Sequence, residues 1–328
     1  MKTQIVYALI ASEDDLFLQE IWASVYSLRH YEPHREVRVC CDEATAKLVH
    51  NTPKLSKLFT EIVVIPTPEE YSPKVKSRHV KTLVRQFVSG SFLYIDTDTI
   101  ICAPLNEIDD FDYEIAGVPE GNISFDKNIF REGVIKRVKS VFNYDASHHP
   151  HWINGGVIYA ADNQKTHAFY EKWHQNWKYS TFEKNMSQDM PALLKTEIDT
   201  GMMISELPGY FNAQPFMSMT YFGAARIIHF LHSFFPQDKS FCPFFDKSIY
   251  KSIKEIGDIT PEIENLILNA KSSITSPSMM VGERTLNFMT SPVEPVFEII
   301  YAEGGLASWL MQKMAVWLGW LHKYTKKK

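Results

Sequence analysis

The chain of 328 residues is 45% hydrophobic and 22% charged, so it can form one large domain with an extension, or two domains. Its formal net charge of −5 argues against a nucleic-acid partner, because nucleic-acid-binding proteins are more often basic. The four cysteines form no CxxC pair, so we expect reduced, buried thiols in a cytosolic protein, with neither a disulfide framework nor a zinc site.

The N-terminal part of the chain alternates between strands and helices. Apolar runs predict strands at residues 4–11, 36–42, 59–68 and 90–98. Amphipathic segments between them predict helices at residues 14–31, 43–51 and 73–88. The first apolar run is short and is followed by acidic residues, so it predicts a strand and not a signal peptide. This alternation favours an α/β fold with a mostly parallel sheet and helices on both faces.

The pattern continues and is then lost. Further strands are predicted at residues 112–120 and 152–163, and helices at 165–177 and from 187 onward. The segment RIIHFLHSF closes the regular pattern. We therefore predict a main domain over residues 1–235, an irregular or helical extension over 236–300, and a separate amphipathic helix over 301–328.

Two aspartates, Asp96 and Asp98, lie one residue apart at the end of a predicted strand. A buried charge is costly unless it is paired or bound to a metal, so this pair is expected where the strand leaves the core. In a parallel sheet that edge is the ligand crevice, and carboxylate oxygens there suit a Mg²⁺ or Mn²⁺ ion shared with substrate phosphates. A solvated turn or helix cap is the simpler alternative. Phosphatases of the haloacid dehalogenase type, with D-x-D-x-T/V after a strand, are another.

Four segments in order extend this interpretation: FLYIDTDTII, WINGGVIYA, SQDMPAL and RIIHFLH. Together they resemble the GT-A nucleotide-sugar transferases, above all glycosyltransferase family 8, the clan of glycogenin and the bacterial lipooligosaccharide galactosyltransferases. The resemblance covers residues 1–235 and implies a Rossmann-like GT-A domain. It implies that Asp96, Asp98 and His229 hold Mn²⁺ or Mg²⁺, which grips the diphosphate of a UDP-sugar donor. Without it, His229 would be a half-buried strand histidine, with His232 as the fallback ligand.

The resemblance also assigns residues to the donor sugar. Asn154 would contact the sugar, and Asp189, with Gln188 beside it, would hydrogen-bond to sugar hydroxyls. Gly155 follows Asn154, and a glycine there lets the backbone approach a ligand closely. The alternatives are an ordinary turn before a strand and a plain helix N-cap at Asp189.

Basic residues precede the aspartate pair on one helix face: Lys74, Arg78, Lys81 and Arg85. A solvated face explains most of such a stripe. The resemblance implies donor contacts from Arg78 and Lys81, and a nucleoside site, usually for uracil, at the strand ends marked by Ala8 and Asp42. For Ala8 the alternative is core packing. The family's Gly and Lys-Pro-Trp after the late histidine are missing here, and Lys239 is a possible substitute.

The C-terminal segment differs from the rest of the chain. From Leu306 to Leu321 it is apolar except for a few positions, and the chain ends in three lysines, Lys326 to Lys328. At 100° per residue the polar positions fall on a narrow arc, and three tryptophans lie on the apolar side. The segment is short for a membrane span and predicts a helix lying on an anionic membrane surface. A helix packed on the domain is the alternative.

These inferences combine into one functional hypothesis. We expect a metal-dependent hexosyltransferase that uses UDP-glucose or UDP-galactose and a glycan or glycolipid acceptor in lipopolysaccharide or capsule synthesis, with retention of configuration. It would be cytoplasmic and peripheral at the inner face of the cytoplasmic membrane. The alternatives are the dehalogenase-type phosphatase, a sugar-nucleotide pyrophosphorylase, which would need a basic Gly-rich loop where ASEDD stands, and a non-catalytic nucleotide-sugar-binding protein.

Overall fold

The computed structural model describes residues 2–128, 130–231, 242–274 and 305–325. The chain divides into two compact units, Met1–Thr275 and Ser276–Lys328. The domain boundaries expected at residues 235 and 300 stay predictions. His232 and Lys239 lie outside the described residues.

The first unit contains a central sheet of seven strands in the order β3-β2-β1-β4-β7-β6-β8. The strands are β1 (Gln4–Leu9), β2 (Val37–Cys41), β3 (Glu61–Val64), β4 (Phe92–Ile95), β6 (Ile115–Pro119), β7 (Ile153–Ala160) and β8 (Ser205–Glu206). β7 runs antiparallel to its neighbours β4 and β6, whereas the other pairs are parallel. The predicted mostly parallel α/β sheet is therefore confirmed, and one reversed strand lies at its centre.

A second sheet contains only β5 (Thr99–Ile101) and β9 (Ile227–His229), which pair antiparallel. β5 begins one residue after Asp98, and its register places Thr99 opposite His229. Neither β5 nor β8 was expected from the sequence, because strands of three and two residues carry no readable periodicity. The small sheet brings the late histidine to the aspartate pair.

Ten α-helices are present in the described part of the chain, nine of them in the first unit. They are α1 (Phe17–Tyr31), α2 (Glu43–His50), α3 (Pro53–Ser56), α4 (Pro73–Phe87), α5 (Arg131–Phe142), α6 (Gln164–Lys178), α7 (Asp189–Thr200), α8 (Ser248–Ile256), α9 (Pro261–Leu268) and α10 (Gly305–Thr325). Side chains fix several of their starts. Ser72 caps α4, which begins with Pro73, and Asn163 with Thr166 forms a capping box on α6.

Alternate residues of β1 face opposite sides of the sheet, as a strand requires. Val6 and Ala8 belong to a core that includes the buried tryptophans Trp173 and Trp177 of α6. On the other side, the hydroxyl of Tyr7 lies 3.0 Å from Oγ of Ser24 in α1. Helices therefore cover both faces, as predicted.

The second unit is described through α10 alone, which confirms a helix in the C-terminal segment. Large apolar side chains on it are at least 47% exposed: Leu306, Trp309, Leu310, Met314, Val316, Trp317, Leu318 and Trp320. Among the described residues no helix has the length and hydropathy that a membrane span needs.

Candidate active site

A cavity of about 580 Å³ opens at the carboxyl ends of β1 and β4. Most of the residues expected to bind a donor line it: Ala8, Arg78, Lys81, Asp96, Asp98, Asn154, Gly155, Asp189 and His229. They come from five helices and strands and from the turn after β4, so only the fold brings them together. The expected crevice outside the strand ends is therefore present.

Asp96, Asp98 and His229 form a cluster on the cavity wall. Their ligating atoms all lie within 4.8 Å of one another, and Nε2 of His229 lies 3.1 Å from Oδ1 of Asp98. Two carboxylates and an imidazole suit Mn²⁺ and tolerate Mg²⁺, which prefers oxygen ligands. The donor set therefore fits the divalent cation that the sequence resemblance implies.

His229 is oriented by a chain of amides. Its Nδ1 lies 3.1 Å from Oδ1 of Asn212, whose Nδ2 donates to Oδ1 of Asn154 at 2.9 Å. A proton on Nδ1, donated to Asn212, leaves the Nε2 lone pair directed at the aspartates. Burial opposes the charged imidazole, but Asp98 and Asp96 outweigh it and raise the pKa of His229. Asn154 is thus tied to the metal cluster as well as to the cavity.

The two glycines after Asn154 are required for space. A Cβ atom at Gly156 would lie 2.2 Å from Cε1 of His229 and 2.9 Å from Oδ2 of Asp96. At Gly155 it would lie 3.0 Å from Oδ2 of Asp189. These glycines let β7 pass directly beneath the charged cluster, which is a sharper requirement than an ordinary turn.

Lys81 lies between two carboxylates on the cavity wall. Its Nζ is 3.3 Å from Oδ1 of Asp96 and 3.0 Å from Oδ2 of Asp189, and Nε of Arg78 is 3.9 Å from Asp189. Burial would raise the pKa of Asp189, but the charges of Lys81 and Arg78 outweigh it and lower the pKa to about 2. Asp189 is therefore anionic, and the ammonium group of Lys81 lies between it and Asp96.

The basic stripe on α4 is not a solvated face. Lys81 is 6% exposed and Arg85 is fully buried, although Lys74 is exposed. Arg85 donates to the carbonyls of Val88 and Gly90, and its guanidinium lies 4.6 Å from the ring of Phe92. Arg85 therefore holds the turn after α4, whereas Arg78 and Lys81 face the cavity.

Two residues expected in the site lie elsewhere in the structure. Oδ1 of Asp42 accepts from the backbone N–H of Thr45 at 2.9 Å and caps α2. Gln188 precedes α7, and its Oε1 accepts from Arg137 at 2.6 Å. Neither side chain lines the cavity, so their roles toward nucleoside and sugar stay predictions without geometric support.

Sequence reasoning missed other residues of the cavity. Glu120 is 2% exposed, its carboxylate accepts from Nδ2 of Asn154 at 2.5 Å, and burial raises its pKa. The hydroxyl of Tyr94 donates to Oδ1 of Asp96 at 2.5 Å. Lys247, which precedes α8, also lines the cavity, and its Nζ lies 2.7 Å from Oε1 of Glu20. No local motif marks Glu120 or Lys247. Tyr94 could have been predicted, because residues two apart on a strand face the same side and Tyr94 lies two positions before Asp96.

The overall structure is similar to solved glycosyltransferases. One is a galactosyltransferase, LgtC, in complex with donor and acceptor sugar analogs, which is 14% identical with a TM-score of 0.50. The match covers 81% of this chain and 100% of that one. Another is the glycosyltransferase GlyE from Streptococcus pneumoniae, which is 13% identical with a TM-score of 0.50. The match covers 84% of this chain and 66% of that one. No family model and no curated protein matches the sequence. These similarities confirm the predicted GT-A fold.

Proposed function

We propose that this chain is a metal-dependent glycosyltransferase that moves a hexose from a UDP-sugar, UDP-glucose or UDP-galactose, to a glycan or glycolipid acceptor. The observation that carries the proposal is the cluster of Asp96, Asp98 and His229 on the wall of a large cavity in a GT-A fold. The similarity to two glycosyltransferases supports the same reaction class.

Departure of a nucleoside diphosphate leaves negative charge that the site must stabilise. A Mn²⁺ or Mg²⁺ held by the cluster would supply most of this stabilisation when bound. Four lysine or arginine side chains line the same cavity, namely Lys74, Arg78, Lys81 and Lys247. Lys247 comes from beyond β9, on the part of the chain where a diphosphate-binding lysine was expected from the family pattern. We infer that Lys247 contacts the diphosphate, because it lines the cavity that holds the aspartate pair.

The donor sugar would lie between α7 and β7. Asp189 stays ionised and offers acceptor atoms for sugar hydroxyls. Asn154 lines the same cavity and donates to the carboxylate of Glu120. Because Asp189 is ion-paired with Lys81, we assign no covalent nucleophile. Retention of configuration would then follow from attack on the donor face that carries the leaving phosphate.

The acceptor class follows from the C-terminal helix. The exposed apolar side chains of α10 include three tryptophans, and the sequence continues into three lysines. Such a helix suits the surface of an anionic membrane. We propose peripheral attachment at the inner face of the cytoplasmic membrane, where acceptors for surface polysaccharides such as lipopolysaccharide or capsule are built. The dehalogenase-type phosphatase receives no support from the GT-A fold.

A thermal-shift screen of UDP, GDP and several UDP-sugars, each with and without Mn²⁺, tests the proposal. We expect stabilisation by UDP and by one UDP-sugar that depends on Mn²⁺ and disappears in Asp98→Asn. Slow hydrolysis of the same UDP-sugar, followed as released UDP, would show turnover. A folded protein that responds to no nucleotide would contradict the donor-site assignment.

A further inference from the structure

A second group of metal-ligating side chains lies outside the cavity. His149 and His151 flank Pro150 just before β7, and Glu197 lies in the second half of α7. Nε2 of His149 is 3.1 Å from Oε2 of Glu197, and Nε2 of His151 is 2.8 Å from Oε1. One ligand atom from each residue lies within 4.8 Å of the others. Both imidazoles therefore direct the same nitrogen at one carboxylate.

The group is buried, and the two imidazoles are the main side-chain partners of the Glu197 carboxylate. The exposed fractions are 8% for His149, 6% for His151 and 2% for Glu197. Within the described residues no lysine or arginine forms an ion pair with Glu197, and its further partner is the backbone N–H of Ile204 at 2.8 Å. A buried carboxylate is usually matched by a cation or several donors. Here two imidazoles take the place of a basic side chain.

A further carboxylate lies behind one of the imidazoles. Oε1 of Glu206 is 3.8 Å from Nδ1 of His151, on the side of the ring away from Glu197. Metal-bound histidines commonly direct their other ring nitrogen at a carboxylate, which stabilises the tautomer with hydrogen on Nδ1. That tautomer presents the Nε2 lone pair to the centre of the group. At 3.8 Å the two atoms are beyond hydrogen-bond distance, so Glu206 is placed to approach Nδ1 of His151 when the ring binds a metal.

We propose that His149, His151 and Glu197 bind a Zn²⁺ ion through two Nε2 atoms and one carboxylate oxygen. Two histidines and a glutamate are an established zinc donor set, with water free to take the fourth position. Ligands on a zinc tetrahedron lie about 3.3 Å apart for bonds near 2.0 Å, so the two nitrogen-to-oxygen distances of 3.1 and 2.8 Å would open slightly on binding. Zinc binding requires each imidazole to carry its one hydrogen on Nδ1, so a neutral imidazole with hydrogen on Nε2 changes tautomer and a protonated one releases a proton to solvent.

The ion would act as a brace behind the candidate active site. His151 lies three positions before Asn154, and α7 carries Asp189 at its first turn as well as Glu197. A bond from each segment to one ion would fix the spacing of the two walls that line the cavity. This zinc site does not depend on the proposed transfer reaction.

Zinc binding to the full chain tests the proposal, with the first metal cluster removed by Asp98→Asn. The Asp98→Asn protein, stripped with chelator and titrated with Zn²⁺ by calorimetry, is expected to bind one equivalent at or below micromolar Kd. Adding His149→Gln, which keeps a hydrogen-bond donor near the position of Nε2 but is a poor ligand, should weaken binding at least about 100-fold. Circular dichroism verifies that both proteins are folded.

Two results would overturn the proposal. One is a folded Asp98→Asn protein that binds no Zn²⁺, and the other is equal binding with and without His149→Gln. If the double variant does not fold, Glu197→Gln is titrated in its place. The zinc content of the purified Asp98→Asn protein, measured by atomic emission, gives an independent value: about one equivalent is expected, and none contradicts the site.

Discussion

Oδ1 of Asn212 lies 3.1 Å from Nδ1 of His229, so the imidazole of the candidate metal ligand is held from behind by an amide. Both side chains are buried, which leaves water little access to replace that contact. Asn212 is therefore a positioning residue for the metal cluster. It also donates to Asn154 and so links the cluster to the sugar-facing wall.

We expect Asn212→Ala to weaken Mn²⁺ binding about 10- to 100-fold, because the second partner of a ligating histidine fixes its tautomer and orientation. Calorimetry of Mn²⁺ binding measures this directly. Saturating Mn²⁺ should restore most of the transfer rate, since no group at the donor is lost. Asn265→Ala, on the exposed face of α9, is the control. An unchanged Mn²⁺ affinity would contradict the positioning role.

Gly156→Ala should abolish most activity. The added methyl group would meet Cε1 of His229 at 2.2 Å, and a displacement of about 1 Å in a catalytic constellation costs about 100-fold in rate. Gly133→Ala is the matched control, because a Cβ there meets nothing within 4 Å and the position lies inside α5. That control should keep its activity and gain about 0.5–1 kcal/mol of stability. An active Gly156→Ala enzyme would show that β7 can move away from His229.

Asp189 should contribute to acid unfolding. Its pKa is about 2 in the folded chain, below the ordinary value of 3.8, so its stabilising effect is fully present above about pH 5 and is lost as the pH falls toward 2. This accounts for roughly 1 kcal/mol of the stability lost between pH 5 and pH 3. Urea unfolding across that range should show a smaller decline for Asp189→Asn. Parallel declines in both proteins would mean that Lys81 does not hold the acid.

Lys247→Met should raise the KM for the UDP-sugar about tenfold, because a charged hydrogen bond to phosphate contributes about 1.5–3 kcal/mol, partly offset by Glu20. Initial rates over a range of donor concentrations give this value. Lys254→Met in α8 is the control. Lys254 donates to the carbonyl of Asp15 and does not line the cavity. The second variant should keep the wild-type KM. Equal KM values for the Lys247→Met and Lys254→Met proteins would contradict the role of Lys247 and leave Arg78 and Lys81 as the diphosphate contacts.

Replacing Trp309 and Trp317 by serine should lower binding to vesicles of anionic lipid at least about tenfold, since interfacial helices bind through buried apolar area and charge. Both side chains are more than half exposed in α10. Co-sedimentation at low and high salt measures binding, and hydrolysis of the UDP-sugar in solution should stay unchanged. Phe87→Ser removes an exposed aromatic from α4 as the control. Vesicle binding that survives the double substitution would contradict the membrane role.

The alternation of strands and helices was readable because β1, β2 and β4 are largely buried, mostly apolar runs separated by amphipathic helices. The antiparallel direction of β7 could not be predicted, because the sequence of a strand does not show whether it will pair parallel or antiparallel with its neighbours. β4 and β7 pair antiparallel across a connection that contains β5, β6 and α5. Such a pairing leaves no local signal.

The metal cluster was predictable in part. Asp96 and Asp98 stand out by their place after a strand, but only the resemblance pointed to His229. The burial of Lys81 could not be derived, because its two carboxylate partners lie 15 positions and more than 100 positions away. The group of His149, His151 and Glu197 was missed for the same reason, since its members lie 46 and 48 positions apart. Charge partners remote in sequence decide which ionic residues are buried.

The contact between His229 and Asp98 joins residues 131 positions apart, through a ladder of three residues on each strand. Closing a flexible loop of that length costs about 4 kcal/mol of chain entropy, which so short a ladder hardly offsets. The nascent chain can therefore build β1 to β4 on the ribosome long before β9 is synthesised. Under the proposed function, the donor site would be completed only at a late stage of folding, and incomplete chains would not consume nucleotide sugar.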